Sequence, residues 1–196
     1  VTPVPFDESR FQEVSLPRAD CEVLRDLLLR EVAHVVIEIG LAYGSSALAI
    51  AGALVRNGRG EARHLIIDPF QADFENEGWN AIVSAGVQDV CQLVRERSQL
   101  ALPRLVGEGL GADAAFVDGS HVFHNVFVDL FFLREIVRPG GLVVLDDCDW
   151  PSVATAVRYF ERDAAWQREP LPATRLRAYR LPDPRVEPRF DTFTPF

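Results

Sequence analysis

The strongest constraint on this chain is a repeated alternation: short β-branched apolar runs, each closed by acidic or polar residues and followed by a helical pattern. His34 to Ile39 (HVVIEI) is nearly continuous in apolar character, as expected of a strand covered on both faces. His64 to Asp68 (HLIID) is the second such run, and about Val90 to Glu96 forms the third. Ala114 to Asp118 (AAFVD) is the fourth. Leu142 to Leu145 is the fifth, entered through a tight Arg138-Pro139-Gly140-Gly141 turn. Helical patterns follow at about Ala47 to Arg56, Trp79 to Ala85, Ala101 to Gly107, Val122 to Val137 and Ser152 to Arg162. An amphipathic helix from about Arg18 to Arg30, with Cys21, Leu24, Leu27 and Leu28 on one stripe, precedes them all. Trp166 to Leu171 and Thr174 to Leu181 read as two closing strands joined by a Pro-containing turn. The pattern predicts an α/β fold: a doubly wound, mostly parallel sheet with one antiparallel edge strand near the C-terminus. Residues 1–182 read as one domain, with 1–15 as an N-terminal segment and candidate lid, and 183–196 as a Pro-punctuated tail.

Composition narrows the partners. The 196 residues carry no Lys, and 20 basic against 29 acidic side chains give a formal net charge of −9. A surface of this sign repels phosphate and disfavours nucleic acid as the main partner. Cys21, Cys91 and Cys148 form neither a CxxC pair nor a small disulfide framework, which suits a reduced, intracellular setting. Val1 to Ser15 holds Pro3, Pro5, Asp7, Glu8 and Arg10 where a signal peptide needs an apolar stretch. No run approaches the ~18 apolar residues of a membrane helix. The expectation is a soluble, cytoplasmic protein, with a homodimer as the default assembly.

In an open α/β sheet, ligands bind beyond the carboxyl ends of the strands. After the first strand come Glu38, Gly40, Tyr43, Gly44, Ser45 and Ser46, and after the second Asp68. Gly40 and Gly44 allow close backbone approach to a ligand, and the next helix offers free N–H groups. Their spacing is G-x-x-x-G, not the G-x-G-x-x-G of dinucleotide sites. Asp68 stands where an acid can accept both hydroxyls of a ribose. Glu96, Arg97, Ser98 and Gln99 follow the third strand. Asp118 closes the fourth, and Asp146 and Asp147 close the fifth. Three carboxylates at one rim call for a cation or for raised pKa values. Hard oxygen donors of this kind suit Mg²⁺ or Ca²⁺. His121, three residues past Asp118, faces the same rim, and a neutral imidazole accepts protons near pH 7. His34, His64 and His124 read as structural or solvated.

Taken together, these motifs resemble the class I S-adenosylmethionine-dependent methyltransferases, whose domain is Rossmann-like. The likeness runs from about Leu16 to Leu181. EIGLAYGSSALAIA is similar to that superfamily's first motif and LIIDPF to its second. FVDGSH followed by RPGGLVVLDD resembles methyltransferase family 24 and the metal-dependent catechol O-methyltransferases. The resemblance implies S-adenosylmethionine as cofactor, bound by Glu38, Gly40, Tyr43, Gly44, Ser45, Ser46, Asp68, Ser98 and Asp118. It implies Asp118, Asp146 and Asp147 as ligands of Mg²⁺, and transfer of a methyl group to a hydroxyl of a small molecule. Two departures stand out. His121 occupies the position of the catechol enzymes' lysine base, and Glu96-Arg97 precede Ser98 where a Gly is usual. His121 and Asp118 are therefore the candidate catalytic residues. The alternatives are a catalytically inactive cofactor-binding module and an NAD-dependent oxidoreductase, the latter disfavoured by the glycine spacing.

Overall fold

The computed structural model describes residues 14–193. Helix α1 (Arg18–Arg30) leads into β1 (Val35–Ile39), α2 (Ser45–Gly58) and β2 (Arg63–Ile67). A 3-10 turn (Gln71–Phe74) and α3 (Glu77–Ser84) connect to β3 (Cys91–Val94), followed by α4 (Ser98–Gly107) and β4 (Ala112–Val117). Then come α5 (Phe123–Ile136), β5 (Val137–Leu145), α6 (Pro151–Asp163), β6 (Gln167–Glu169) and β7 (Arg177–Arg180). The seven strands form one sheet in the order β3-β2-β1-β4-β5-β7-β6. The first five are parallel, and β7 runs antiparallel to both β5 and β6. The α/β, mostly parallel architecture expected from the sequence is the one observed.

Strand alternation divides the core into two layers. Ile37, Ile39, Ala115, Val117, Val143 and Leu145 face α4, α5 and α6, where Leu102, Leu130, Leu133, Val157 and Phe160 meet them. Val36, Ala114, Phe116, Leu142 and Val144 face α1 and α2, against Leu24, Leu28, Ile50 and Leu54. Burying a Leu, Ile or Phe side chain contributes roughly 1.5–3 kcal/mol, so these two layers carry most of the driving force.

One segment differs from the sequence reading. Arg138–Gly141 is not a turn before the strand but a bulge inside it. The ladder passes from Ala112↔Val137 directly to Ala114↔Leu142, so Asp113 alone stands opposite the looped-out residues. Its carboxylate accepts the His34 and Val35 N–H groups at 2.8 and 3.0 Å and Arg138 Nε at 3.0 Å, and so holds the bulge shut. The described part of the tail, to residue 193, docks on α5. Arg134 donates to the Val186 carbonyl at 2.8 Å, and Arg185 donates to the Glu135 and Val137 carbonyls. The candidate lid at 1–15 lies, apart from Val14 and Ser15, outside the described residues.

Candidate active site

The parallel ladder runs one residue past each strand end. The N–H of Asp68 donates to Val94 O, that of Gly40 to Ile67 O, that of Asp118 to Ile39 O, and that of Asp146 to Val117 O, all at 2.9–3.1 Å. These bonds set Asp68, Gly40, Asp118 and Asp146 in a row along the carboxyl edge. In front of the row opens a cleft of about 720 Å³, lined among others by Gly40, Tyr43, Asp68, Ser98, Asp118 and His121. That size suits a cofactor and a small substrate together.

At one end sits the glycine turn. Gly40 has φ +93°, and a Cβ there would overlap the Asp118 carbonyl oxygen. Gly44 has φ +85° and its backbone packs on Gly78, where a Cβ would approach the carbonyl oxygen to 2.9 Å. Gly44 is therefore required by the packing of this turn on α3. Asp68 serves the turn. Its Oδ2 accepts the Leu41 and Ala42 N–H groups at 2.9 and 3.2 Å and Gln71 Nε2 at 3.0 Å, while Oδ1 accepts the Phe70 N–H at 2.7 Å. Its acceptor capacity toward a ribose is what remains on Oδ1.

Glu38 needs correction. Strand alternation turns it beneath α2, fully buried, and it does not reach the cleft wall. There it accepts a 2.5 Å hydrogen bond from Ser46 Oγ and pairs with His64 Nε2 at 3.0 Å. It fixes Ser46 from behind. Ser45 and Ser46 do line the cleft at the N-terminus of α2, beside Ser15, whose buried Oγ has no hydrogen-bond partner. Free helix N–H groups and an orphaned hydroxyl fit an anionic group such as the carboxylate of an amino-acid-bearing cofactor. Tyr43, edge-on to Phe74 at 5.3 Å, forms the adjoining wall.

At the other end is an acidic corner. Burial, reinforced by the charges of Asp146 and Asp147, pushes the Asp118 carboxyl well above the usual range. Asp146 is raised by burial too, although the Asp147 N–H and Arg175 oppose the shift. Both Asp146 oxygens are engaged: Oδ1 accepts the Asp147 N–H at 2.8 Å and Oδ2 binds the Arg175 guanidinium. The metal triad read from the sequence is thus not the one assembled. The donor atoms that converge belong to Asp118, His121 and Asp147, all within 4.8 Å of one another. His121 Nε2 lies 2.7 Å from Asp147 Oδ2, and its ring stacks on Trp150 at 5.9 Å. Two carboxylates and an imidazole fit a divalent cation, provided His121 and Asp147 part.

Sequence reasoning missed Arg175, which enters from the loop before β7 and brings a positive charge into the corner. Nothing in the linear order tied that loop to the ends of β4 and β5. It also missed Gln71, whose spacing of three from Asp68 on a tight turn was the available signal. His124, read as structural or solvated, lines the cleft with Asn125, and Ser98 lines it with Gln99 and Arg97.

The model of a family described as a methyltransferase domain matches residues 37–148, more than half of the chain. Among solved structures, the chain is similar to the O-methyltransferase TomG of Streptomyces achromogenes, involved in tomaymycin synthesis and crystallised with S-adenosylmethionine. The identity is 21%, with 92% of each chain covered and a TM-score of 0.69. The O-methyltransferase of Bacillus cereus in complex with S-adenosylhomocysteine is 17% identical, covering 91% of this chain and 93% of that one, with a TM-score of 0.65. The apo TDP-rhamnose 3'-O-methyltransferase CalS11 of calicheamicin biosynthesis is 19% identical, over 91% and 88%, with a TM-score of 0.65. No curated protein gives a significant match.

Proposed function

The chain belongs to the methyltransferase-domain family, and from that premise we propose that it transfers the methyl group of S-adenosylmethionine to a hydroxyl of a small molecule. The observation that carries this reading is the two-ended cleft. A glycine turn with free helix N–H groups stands at one end, and an imidazole–carboxylate pair beside Asp118 at the other. In this reading Ser15, Ser45 and Ser46 hold the methionine end of the cofactor, Oδ1 of Asp68 meets the ribose, and Ser98 meets the adenine.

Methyl transfer breaks a sulfur–carbon bond and forms an oxygen–carbon bond while the hydroxyl gives up its proton. Holding the two reactants in line supplies several kcal/mol of the barrier. Because Nε2 of His121 faces Asp147, that nitrogen carries the hydrogen, and Nδ1 is the one left to accept the substrate's proton. Asp147 then stabilises the imidazolium, as the buried acid does in hydrolase triads. Asp118 and Asp147, with His121, are the residues that would hold a divalent cation. Bound there, Mg²⁺ would lower the hydroxyl's pKa and orient it. The two uses of His121 Nε2 exclude one another.

The same reading places the enzyme in the cytoplasm as a homodimer, working on neither nucleic acid nor membrane. Among the described residues no helix is long and apolar enough to cross a membrane. The test is calorimetry with S-adenosylhomocysteine and with NAD, then methyl transfer to a panel of catechols, hydroxy acids and sugars followed by mass spectrometry. Binding of S-adenosylhomocysteine with a methylated product supports the reading. NAD binding alone would make it an oxidoreductase, and binding without transfer to any acceptor would make it an inactive module.

A further inference from the structure

Asp129 is the one carboxylate of α5 that points into the fold, 1% exposed among Val126, Leu130 and Leu133. A buried acid is costly unless something answers it. No cation does among the described residues. Arg104 on the neighbouring α4 is paired outward with Glu96 and Glu108, and Arg134 on α5 itself binds Glu135 and Glu187. What answers Asp129 is the cleft rim beyond β3. Ser98 hydrogen-bonds to it, and Gln99 Nε2 donates both to Asp129 Oδ1, at 3.4 Å, and to Ser98 Oγ, at 2.9 Å.

This closed triangle has a directional consequence. Once ionised, above about pH 7, the Asp129 carboxylate only accepts hydrogen bonds, so it holds the nitrogen end of the Gln99 amide and rejects the oxygen end. Both amide hydrogens are consumed inside the triangle, which leaves Oε1 as the free end of a side chain that lines the cleft. We propose that Asp129 is a positioning residue that fixes the Gln99 amide with its oxygen toward the cofactor. The cleft thereby selects a purine edge that donates a hydrogen, the exocyclic amine of adenine, over one that accepts. Without Asp129 the amide turns over at little cost, and either edge is tolerated. This inference rests on the proposed cofactor and deepens it, since it assigns the purine discrimination to a residue that itself stays outside the cleft.

The probes, titrated at pH 8, are S-adenosylhomocysteine and S-inosylhomocysteine, in which a carbonyl oxygen replaces the exocyclic amine and N1 gains a hydrogen. A site built to accept from the amine rejects the carbonyl analogue, so the wild type should prefer the adenine form by about tenfold or more in Kd. Asp129→Leu and Gln99→Ala should each bring the two affinities within a few-fold of one another. Asp129→Asn, which offers both a donor and an acceptor, should fall between. A change that merely loosened the fold would weaken both ligands alike and leave their ratio intact. If Asp129→Leu does not fold, Asp129→Asn and Gln99→Ala still read the ratio. A wild type that binds neither ligand overturns the cofactor assignment itself. A wild type that binds both equally, or variants that keep the full preference, overturn this inference alone.

Discussion

His121 and Asp147 are joined at 2.7 Å between Nε2 and Oδ2, linking the loop after β4 to the turn after β5. Asp147 adopts a left-handed backbone conformation, with φ +54°, and this aims its carboxylate back across the strand ends at the imidazole. A non-glycine residue held in that region reflects constraint by its surroundings, and such positions concentrate at functional sites.

If His121 accepts the substrate's proton, His121→Ala should lower turnover by about 10²–10⁴ with little change in cofactor affinity. Asp147→Asn should also reduce turnover, since it removes the charge that stabilises the imidazolium. Retention of more than about a tenth of wild-type turnover by His121→Ala would remove the imidazole from general-base work.

Metal binding discriminates between the two acidic neighbours. A cation that binds only the folded state raises the melting temperature. Mg²⁺ or Mn²⁺ should do so for the wild type and not for Asp147→Ala. Asp146→Ala should retain most of the increment, because the Asp146 oxygens are already committed to Arg175 and to the Asp147 N–H. The opposite ranking in a thermal-shift titration would restore Asp146 as a ligand.

Asp68→Ala should unfold at lower denaturant, with a loss of about 2–4 kcal/mol, because it strands several buried N–H donors of the glycine turn at once. S-adenosylhomocysteine affinity should drop with it. A variant of unchanged stability that binds the cofactor poorly would show instead that Asp68 acts on the ligand directly and not through the turn.

Burial raises the Asp129 carboxyl to about 7, against the opposing hydrogen bonds from Ser98 and Gln99. In the unfolded chain an Asp titrates near ~3.9. Below that value both states are protonated and the group is neutral to stability. Between it and about 7 the unfolded state ionises while the native state does not, so stability is lost as pH rises and levels off above the native value. Urea unfolding of wild type and Asp129→Asn from pH 5 to 8 should show the variant gaining relative stability with rising pH. A gap independent of pH would refute the shift.

The sequence displayed the sheet because strands buried on both faces are written as local apolar runs, as in HVVIEI and GLVVL. It displayed the rim because the residue after each strand shares one edge in every such fold. It did not display orientation within the rim. Whether Glu38 faces the cleft or α2 depends on strand alternation counted from a boundary known only to a residue or two. Arg138–Gly141 reads as a turn because Pro and Gly signal one, yet the Asp113 carboxylate, 25 residues away, folds it into a bulge. Arg175 reaches Asp146 across 29 residues by way of a reversed strand, and no local pattern encodes that meeting.

Gly40 and Asp118 press together with no room for a single carbon atom between the glycine turn and the acid's carbonyl. The donor end and the acceptor end of the cleft therefore form one rigid jaw. Attempts to re-engineer this enzyme for bulkier acceptors by remodelling the loop after β4 will displace the cofactor turn as well. Acceptor scope is better altered from the Trp150 turn and the Arg175 loop, which meet the site through ring stacking on His121 and an ion pair with Asp146 and not through backbone packed on backbone.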